Sequence, residues 1–196
     1  MFDIIATTAC PIREAGASAP NRTVIEKSST EGRHAHMCGK VQEQWKIGRE
    51  AILSMLDRGE LSKVPADRTF AHEMIAVALT HLKSVERNAI PDPVLAYSAL
   101  HDAVRKAMAA VLQAEGLRAT SKGGHLAVQY AIEAQFGNSM GTYTRTANRI
   151  RVQRNKVEYP TPTTGVDTDV VLGDLPGGTK IVESCQKLID TIDVFI

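Results

Sequence analysis

The most informative run of the chain is Asp92-Pro-Val-Leu-Ala-Tyr-Ser-Ala-Leu-His-Asp-Ala-Val-Arg-Lys-Ala-Met-Ala-Ala-Val-Leu-Gln-Ala-Glu-Gly116. Asp is a favoured helix cap, Pro is favoured at the first helical position, and Gly commonly ends a helix. The run therefore predicts one helix from about 92 to 115. Bulky residues recur along one of its faces and alanines along the neighbouring face. Because small residues let a partner helix approach closely, we expect this helix to be central.

Apolar stripes at helical spacing predict further helices on both sides of this run. The predicted helices span about 40–58, 67–88, 92–115, 125–136, 142–157 and 179–194. The predicted connections are rich in Gly or Pro and lie at 117–124, 137–141 and 161–178, the last with a short extended piece at 170–172. Since most connections are short, the sequence predicts an all-α, up-down antiparallel bundle of five to six helices.

The length and the residue distribution predict one helical domain preceded by an arm. A chain of 196 residues matches a single domain of ordinary size. Residues 1–38 lack helical periodicity and are predicted as a flexible arm, whereas 39–196 are predicted as the helical domain with an acidic C-terminal helix. Met37 offers an alternative, in which the natural start lies there and the first 36 residues are upstream sequence.

The composition excludes several protein classes. A net charge of +1 excludes a uniformly basic nucleic-acid coat, although it leaves room for a local basic patch. No apolar run approaches the ~20 residues of a membrane helix, so no membrane partner is expected. The three cysteines form no C-x-x-C motif, which fits a reducing compartment and predicts a cytoplasmic protein.

No cofactor or metal is expected from the sequence. His34 and His36 have no Glu or Cys at ligand spacing, so they predict no metal site. Residues 173–180 have the length of a phosphate-binding loop, but Lys and Thr are transposed and no strand is predicted before them.

The charge is distributed unevenly along the chain. Residues 1–157 carry +6 and residues 158–196 carry −5. The basic residues of the predicted fifth helix are Arg145, Arg149, Arg151, Arg154 and Lys156, with no acid among them. This pattern has two interpretations: the helix contacts phosphates, or it is a solvated face neutralised by the acidic tail.

Arg154 is the strongest single candidate for a functional side chain. It lies on the same helical face as Ala147 and Ile150, so its guanidinium is expected to point towards the core or a partner. A half-buried guanidinium needs acceptors, which a ligand phosphate or a carboxylate such as Asp102 or Glu133 would supply. Asn155 adds an amide donor beside it.

The Arg154-Asn155 pair, followed by Glu158-Tyr159-Pro160 at the end of a bundle helix, resembles the higher eukaryotes and prokaryotes nucleotide-binding (HEPN) family. Two further stretches fit a branch of this family, namely residues 95–107 and 116–125. The resemblance covers about residues 40–160. It implies a helical bundle that dimerises through the motif helices and that takes part in toxin–antitoxin or defence systems.

Many members of the family are metal-independent endoribonucleases, in which an Arg and a His with four to six residues between them form the active site. Arg154 and Asn155 match the first half of this motif, whereas positions 159–161 hold no His. The candidate catalytic residues are therefore Arg154, Asn155, Glu158 and Tyr159. The resemblance predicts a homodimer that binds RNA or a nucleotide without standard nuclease activity, and a cognate antitoxin or nucleotidyltransferase-type partner. The alternatives are a ribonuclease with a substitute acid or base, and a helical dimerisation scaffold.

Further anion-binding candidates lie where the predicted fourth helix begins. Arg118 and Lys122 precede it, and His125 opens it, where a helix N-terminus can hold an anion. His101 lies on the apolar stripe of the third helix and is interpreted as a core residue rather than as a substitute for the motif histidine.

Overall fold

A computed structural model describes residues 47–158 and 165–195 of the chain. Within these ranges the elements are α1 (Arg49–Asp57), β1 (Leu61–Lys63), α2 (Arg68–Asn88), α3 (Pro93–Glu115), β2 (Leu117–Ala119), α4 (Gly124–Glu158) and α5 (Thr168–Thr191). The prediction of a helical fold is thus confirmed. The predicted arm, residues 1–38, lies outside the described residues. Within residues 47–158 and 165–195, none of the five helices has the length and apolarity needed to cross a bilayer.

Helix α3 forms the centre of the fold, as its sequence predicts. The Asp92 carboxylate accepts a hydrogen bond from the Leu95 amide at 2.9 Å. Gly116 ends the helix in a left-handed conformation with φ of 83°, which residues other than glycine rarely adopt. The fully buried alanines of α3 are Ala96, Ala103, Ala107, Ala110 and Ala114. Helices α2, α4 and α5 all pack against α3.

Residues 117–119 form a strand, although the sequence predicts a loop there. Strand β2 pairs antiparallel with β1, with Leu61 opposite Ala119 and Lys63 opposite Leu117. Leu61 and Leu117 are both buried, so the pairing closes one end of the core. Strands of three residues are too short for an alternating pattern to reveal them.

Helix α4 folds back on itself. A straight helix of 35 residues would be about 52 Å long, and residues 15 positions apart would be separated by about 22 Å. However, the Gln129 side-chain amide donates to the Thr144 carbonyl at 3.4 Å. The chain therefore reverses between these residues, although residues 137–141, which the sequence predicts as a turn between two separate helices, are themselves helical. We call the part before the reversal the N-terminal arm of α4 and the part after it the C-terminal arm.

Helix α5 begins at Thr168, so the prediction of a loop over 161–178 is wrong from that residue onwards. The Asp167 carboxylate caps the helix by accepting from the Val170 amide at 2.9 Å. Pro176 lies inside the helix, where proline typically costs ~3 kcal/mol. Burial of Val171, Ile181 and their neighbours offsets this cost, and such tertiary packing is invisible to local propensity.

Helix α1 begins later than the sequence predicts. It starts at Arg49, after Gly48 in a left-handed conformation with φ of 78°. A Cβ atom at Gly48 would clash with the backbone of Ala134, so the glycine allows α1 to approach α4 closely. The part of the predicted helix before residue 47 lies outside the described residues.

Gly178 allows α5 to approach α3, and its replacement is expected to destabilise the fold. A Cβ atom there would lie 2.5 Å from Cδ1 of Leu100, a side chain that is itself fully buried. We expect Gly178→Ala to lower the free energy of unfolding by about 1–3 kcal/mol in urea titrations, because overpacking forces the neighbours to move. Gly173→Ala is the matched control, since its Cβ would meet open space, and we expect it to raise stability by up to ~1 kcal/mol. Equal stabilities of the two variants would contradict this account.

Candidate functional site

A cavity of about 250 Å³ lies between α3 and the two arms of α4, and we call it the small cavity. Its polar side chains are His101, His125, Arg151, Arg154 and Asn155. These residues are distant in sequence, and they meet because the reversal of α4 brings its C-terminal arm beside its first turn. Gly123 and Gly124 also line the cavity, and because they have no side chains they occupy little of its space.

The two histidines of the small cavity are close to each other. The centroids of the His101 and His125 rings are 6.4 Å apart, with the ring planes at 74°. Burial, followed by the charge of Arg154, lowers the pKa of His101 to about 4. Partial burial and the charge of Arg105 lower the pKa of His125 as well. Both imidazoles are therefore neutral at neutral pH, and each offers one donor and one acceptor nitrogen.

The charge around the small cavity is predominantly positive. Arg151 and Arg154 line it, and Arg105 lies close enough for its charge to lower the pKa of both histidines. The nearby carboxylate of Asp102 lies 3.3 Å from Nε of Arg105, so it offsets part of this charge. Neutral histidines add no further repulsion among the arginines, and the cavity keeps a net positive potential.

The structure brings part of the predicted site together. Arg154, Asn155 and Arg151 from the C-terminal arm meet His125 from the N-terminal arm. Arg154 and Arg151 are half-buried, whereas Asn155 and His125 are exposed. The half-buried position of Arg154 agrees with the prediction from its helical face.

Other predicted basic residues lie elsewhere. Arg149 pairs with Asp174 at 2.5 Å, and this carboxylate also accepts a hydrogen bond from the Tyr97 hydroxyl at 2.6 Å. Arg149 thus joins α4 to α5. Arg145 is exposed and donates to the Thr142 hydroxyl at 3.1 Å.

The remaining candidates occupy three kinds of position. Lys122 and Lys156 are exposed, and Arg118 is exposed on β2. Glu158 ends α4, and its side chain lies outside the described residues, as does the whole of Tyr159. Their predicted roles therefore stay predictions.

Sequence reasoning gave little weight to two residues of α3. The sequence predicts a core position for His101, and the residue is buried at 7% exposure. It also lines the small cavity. Arg105 was not singled out. It lies four positions after His101, and this spacing places two residues on one helical face. That spacing is the signal that would have found it.

A second cavity, of about 610 Å³, adjoins the small one, and we call it the large cavity. Gly124 and His125 line both cavities, so the start of α4 forms part of the wall that the two cavities share. The apolar side chains of the large cavity are Phe70, Met74, Ala109, Leu112, Leu117, Ala119 and Val128. Arg105 and Arg118 also line it.

The small cavity has the chemistry of an oxyanion site. Two guanidinium groups line it, a group that matches a phosphate or carboxylate, and Asn155 supplies an amide. Nε and Nη2 of Arg151 donate to the Asn148 side-chain oxygen at 3.3 and 2.8 Å, so Arg151 contributes mainly its charge. Within the described ranges, no group of three or more His, Cys, Asp or Glu side chains is placed to hold a metal ion.

Comparison with known proteins adds no further assignment. Neither a protein-family model, nor a curated protein, nor a solved structure gives a significant match to this chain.

Acidification is expected to destabilise the fold through His101. The folded protein keeps this ring neutral until the pH approaches about 4, whereas a histidine in an unfolded chain takes up a proton near pH ~6.5. The stability that depends on the neutral ring is present above pH ~6.5 and is lost as the pH falls towards 4, by up to about 3 kcal/mol.

The measurement is urea unfolding of the wild type and His101→Gln at several pH values between 7 and 4. We expect the variant to lose less stability than the wild type over this range. His125→Gln should change the slope less, because His125 is exposed. Parallel curves for wild type and His101→Gln would show that His101 does not carry this dependence.

Proposed function

We propose that this chain binds the phosphate groups of RNA or of a nucleotide in the small cavity. The observation that carries the proposal is the meeting of Arg151, Arg154 and Asn155 with two neutral histidines around one cavity of about 250 Å³. A phosphate group accepts forked hydrogen bonds from a guanidinium, and a half-buried guanidinium holds it more strongly than one in bulk water.

The other basic residues of this arm do not line the small cavity. Arg145 and Lys156 are exposed, but their spacing from Arg154 places them on the opposite side of the helix, so their charge attracts RNA only at longer range. Arg149 is left out of the proposed contact set because Asp174 already neutralises it. The proposed contacts are therefore those of the residues that line the small cavity.

The resemblance to the HEPN family supports the same proposal. Arg154 and Asn155, which carry that resemblance, are the residues that line the small cavity. The expected homodimer and the expected antitoxin or nucleotidyltransferase-type partner form part of the proposal. Sedimentation or size-exclusion measurements test the dimer directly.

Replacing Arg154 is expected to weaken RNA binding. We expect Arg154→Ala to reduce the affinity for a fluorescently labelled single-stranded RNA about tenfold to a hundredfold, because a charged hydrogen bond is lost. The slope of log affinity against log salt should fall by about one. Fluorescence anisotropy at several salt concentrations measures both quantities.

Arg87→Ala is the matched control, since Arg87 is an exposed arginine in the last turn of α2. It should bind RNA as the wild type does, and circular dichroism should show both variants folded. Equal affinity of wild type and Arg154→Ala would refute the role of Arg154. Absence of RNA and nucleotide binding altogether would favour the helical scaffold.

The histidine pair favours a second candidate function, metal-independent cleavage of RNA. In this reaction His125 takes the proton of a ribose 2′-hydroxyl, and the 2′-oxygen attacks the adjacent phosphorus. The bond to the 5′-oxygen breaks, the leaving oxygen takes up a proton from water, His125 later returns its proton to the solvent, and Arg154 stabilises the charge on the phosphate oxygens. The products are a 2′,3′-cyclic phosphate and a 5′-hydroxyl.

Cleavage is tested by incubating wild type, Arg154→Ala and His125→Asn with structured RNA in EDTA and separating the products on a gel. If the chain is a ribonuclease, only the wild type cleaves efficiently, and each variant is at least about a hundredfold slower. Intact RNA in all three lanes, with binding retained by the wild type, would assign the chain to the binding class.

A further inference from the structure

The large cavity differs in character from the small one, although the two share His125 and Gly124. Its wall is apolar where α2 and α3 face each other, through Met74 and Leu112. Polar groups lie at its edge, among them the Ser121 hydroxyl and the Arg118 guanidinium. An apolar wall with a few polar groups is typical of a pocket for a small organic group, and about 610 Å³ lies within the usual range of such pockets.

Phe70 supplies an exposed aromatic ring at this cavity. The residue is 43% exposed, yet its backbone amide is held by the Asp67 carboxylate at 2.9 Å in the first turn of α2. The backbone position of the ring is therefore fixed before any ligand arrives. A fixed, half-exposed aromatic ring is a surface on which a flat ring system can stack.

We propose that the large cavity binds the base of a nucleoside phosphate whose phosphate group occupies the small cavity. This inference rests on the proposed function and adds a second subsite to it. The base stacks on Phe70, the edge of the base reaches polar groups near Ser121 and Arg118, and the sugar passes His125.

The two cavities together define the chemistry of the ligand. The small cavity takes an anionic group, and the large cavity takes a flat apolar group with polar edges. The two cavities share Gly124 and His125 in their linings, so one ligand that passes these residues reaches both. A nucleoside phosphate carries both groups on one sugar, and it arises either as a free mononucleotide or within single-stranded RNA.

The test compares ligands with and without a base on the full chain. Calorimetric titrations use ribose 5-phosphate and the ribonucleoside 5′-monophosphates, and anisotropy uses a short single-stranded RNA. We expect at least one monophosphate to bind about tenfold more tightly than ribose 5-phosphate, which is the gain that stacking of one base provides. Tight monophosphate binding identifies a free nucleotide as the source, whereas binding of RNA alone identifies RNA.

The variants separate the two subsites. Phe70→Ala should remove the gain due to the base and leave ribose 5-phosphate binding unchanged, and Phe70→Trp should keep the gain. Val77→Ala is the matched control, because Val77 is 44% exposed on the same helix but does not line the cavity. Arg154→Ala should weaken the binding of all phosphates equally, with or without a base.

Each result decides between the proposals. If every monophosphate binds no better than ribose 5-phosphate, and RNA binding is unaffected by Phe70→Ala, the base subsite is refuted while the phosphate site stands. If no phosphate ligand binds at all, both proposals fail. If Phe70→Ala changes the elution volume, Phe70 forms a contact between proteins, and the base subsite is refuted.

Discussion

The close approach of neighbouring helices to α3 is the constraint on which the fold depends. Alanines along α3 are fully buried, and Gly178 of α5 meets Leu100 where no Cβ atom would fit. With few aromatic residues in the chain, dense packing of small and branched side chains must supply the core. The same packing fixes the position of His101 and Arg105, since both are carried by the central helix.

The reversal of α4 brings the residues of the candidate site together beside the central helix. Without it, Arg154 would lie tens of ångströms from His125; with it, both residues line one cavity. The hydrogen bond from Gln129 to the Thr144 carbonyl joins the two arms in the buried interior. The ion pair between Arg149 and Asp174 then attaches the C-terminal arm to α5.

Local signals in the sequence predicted the elements that local chemistry determines. Asp92 caps α3 as expected, and Asp67 caps α2 in the same way, because a cap depends only on residues within one turn. Helix α5 was predicted too short, since Pro176 and the glycines around it argue against a helix until the burial of Val171 is known. The strands were missed because each has three residues and gains its stability from a partner more than fifty positions away. At the site, Arg154 and His125 were singled out separately, but their meeting depends on the direction of the chain after the reversal.

The folded-back form of α4 also gives a bound ligand a mechanical effect. A phosphate held by Arg154 and His125 would connect the two arms at their open end, opposite the reversal. Any opening of the arms would then require the ligand to leave, so the ligand would stabilise the closed arms by its own binding free energy. Amide hydrogens of both arms would exchange more slowly in the complex, in proportion to ligand concentration. Ligand binding in the small cavity and closure of the two arms of α4 would therefore be thermodynamically coupled.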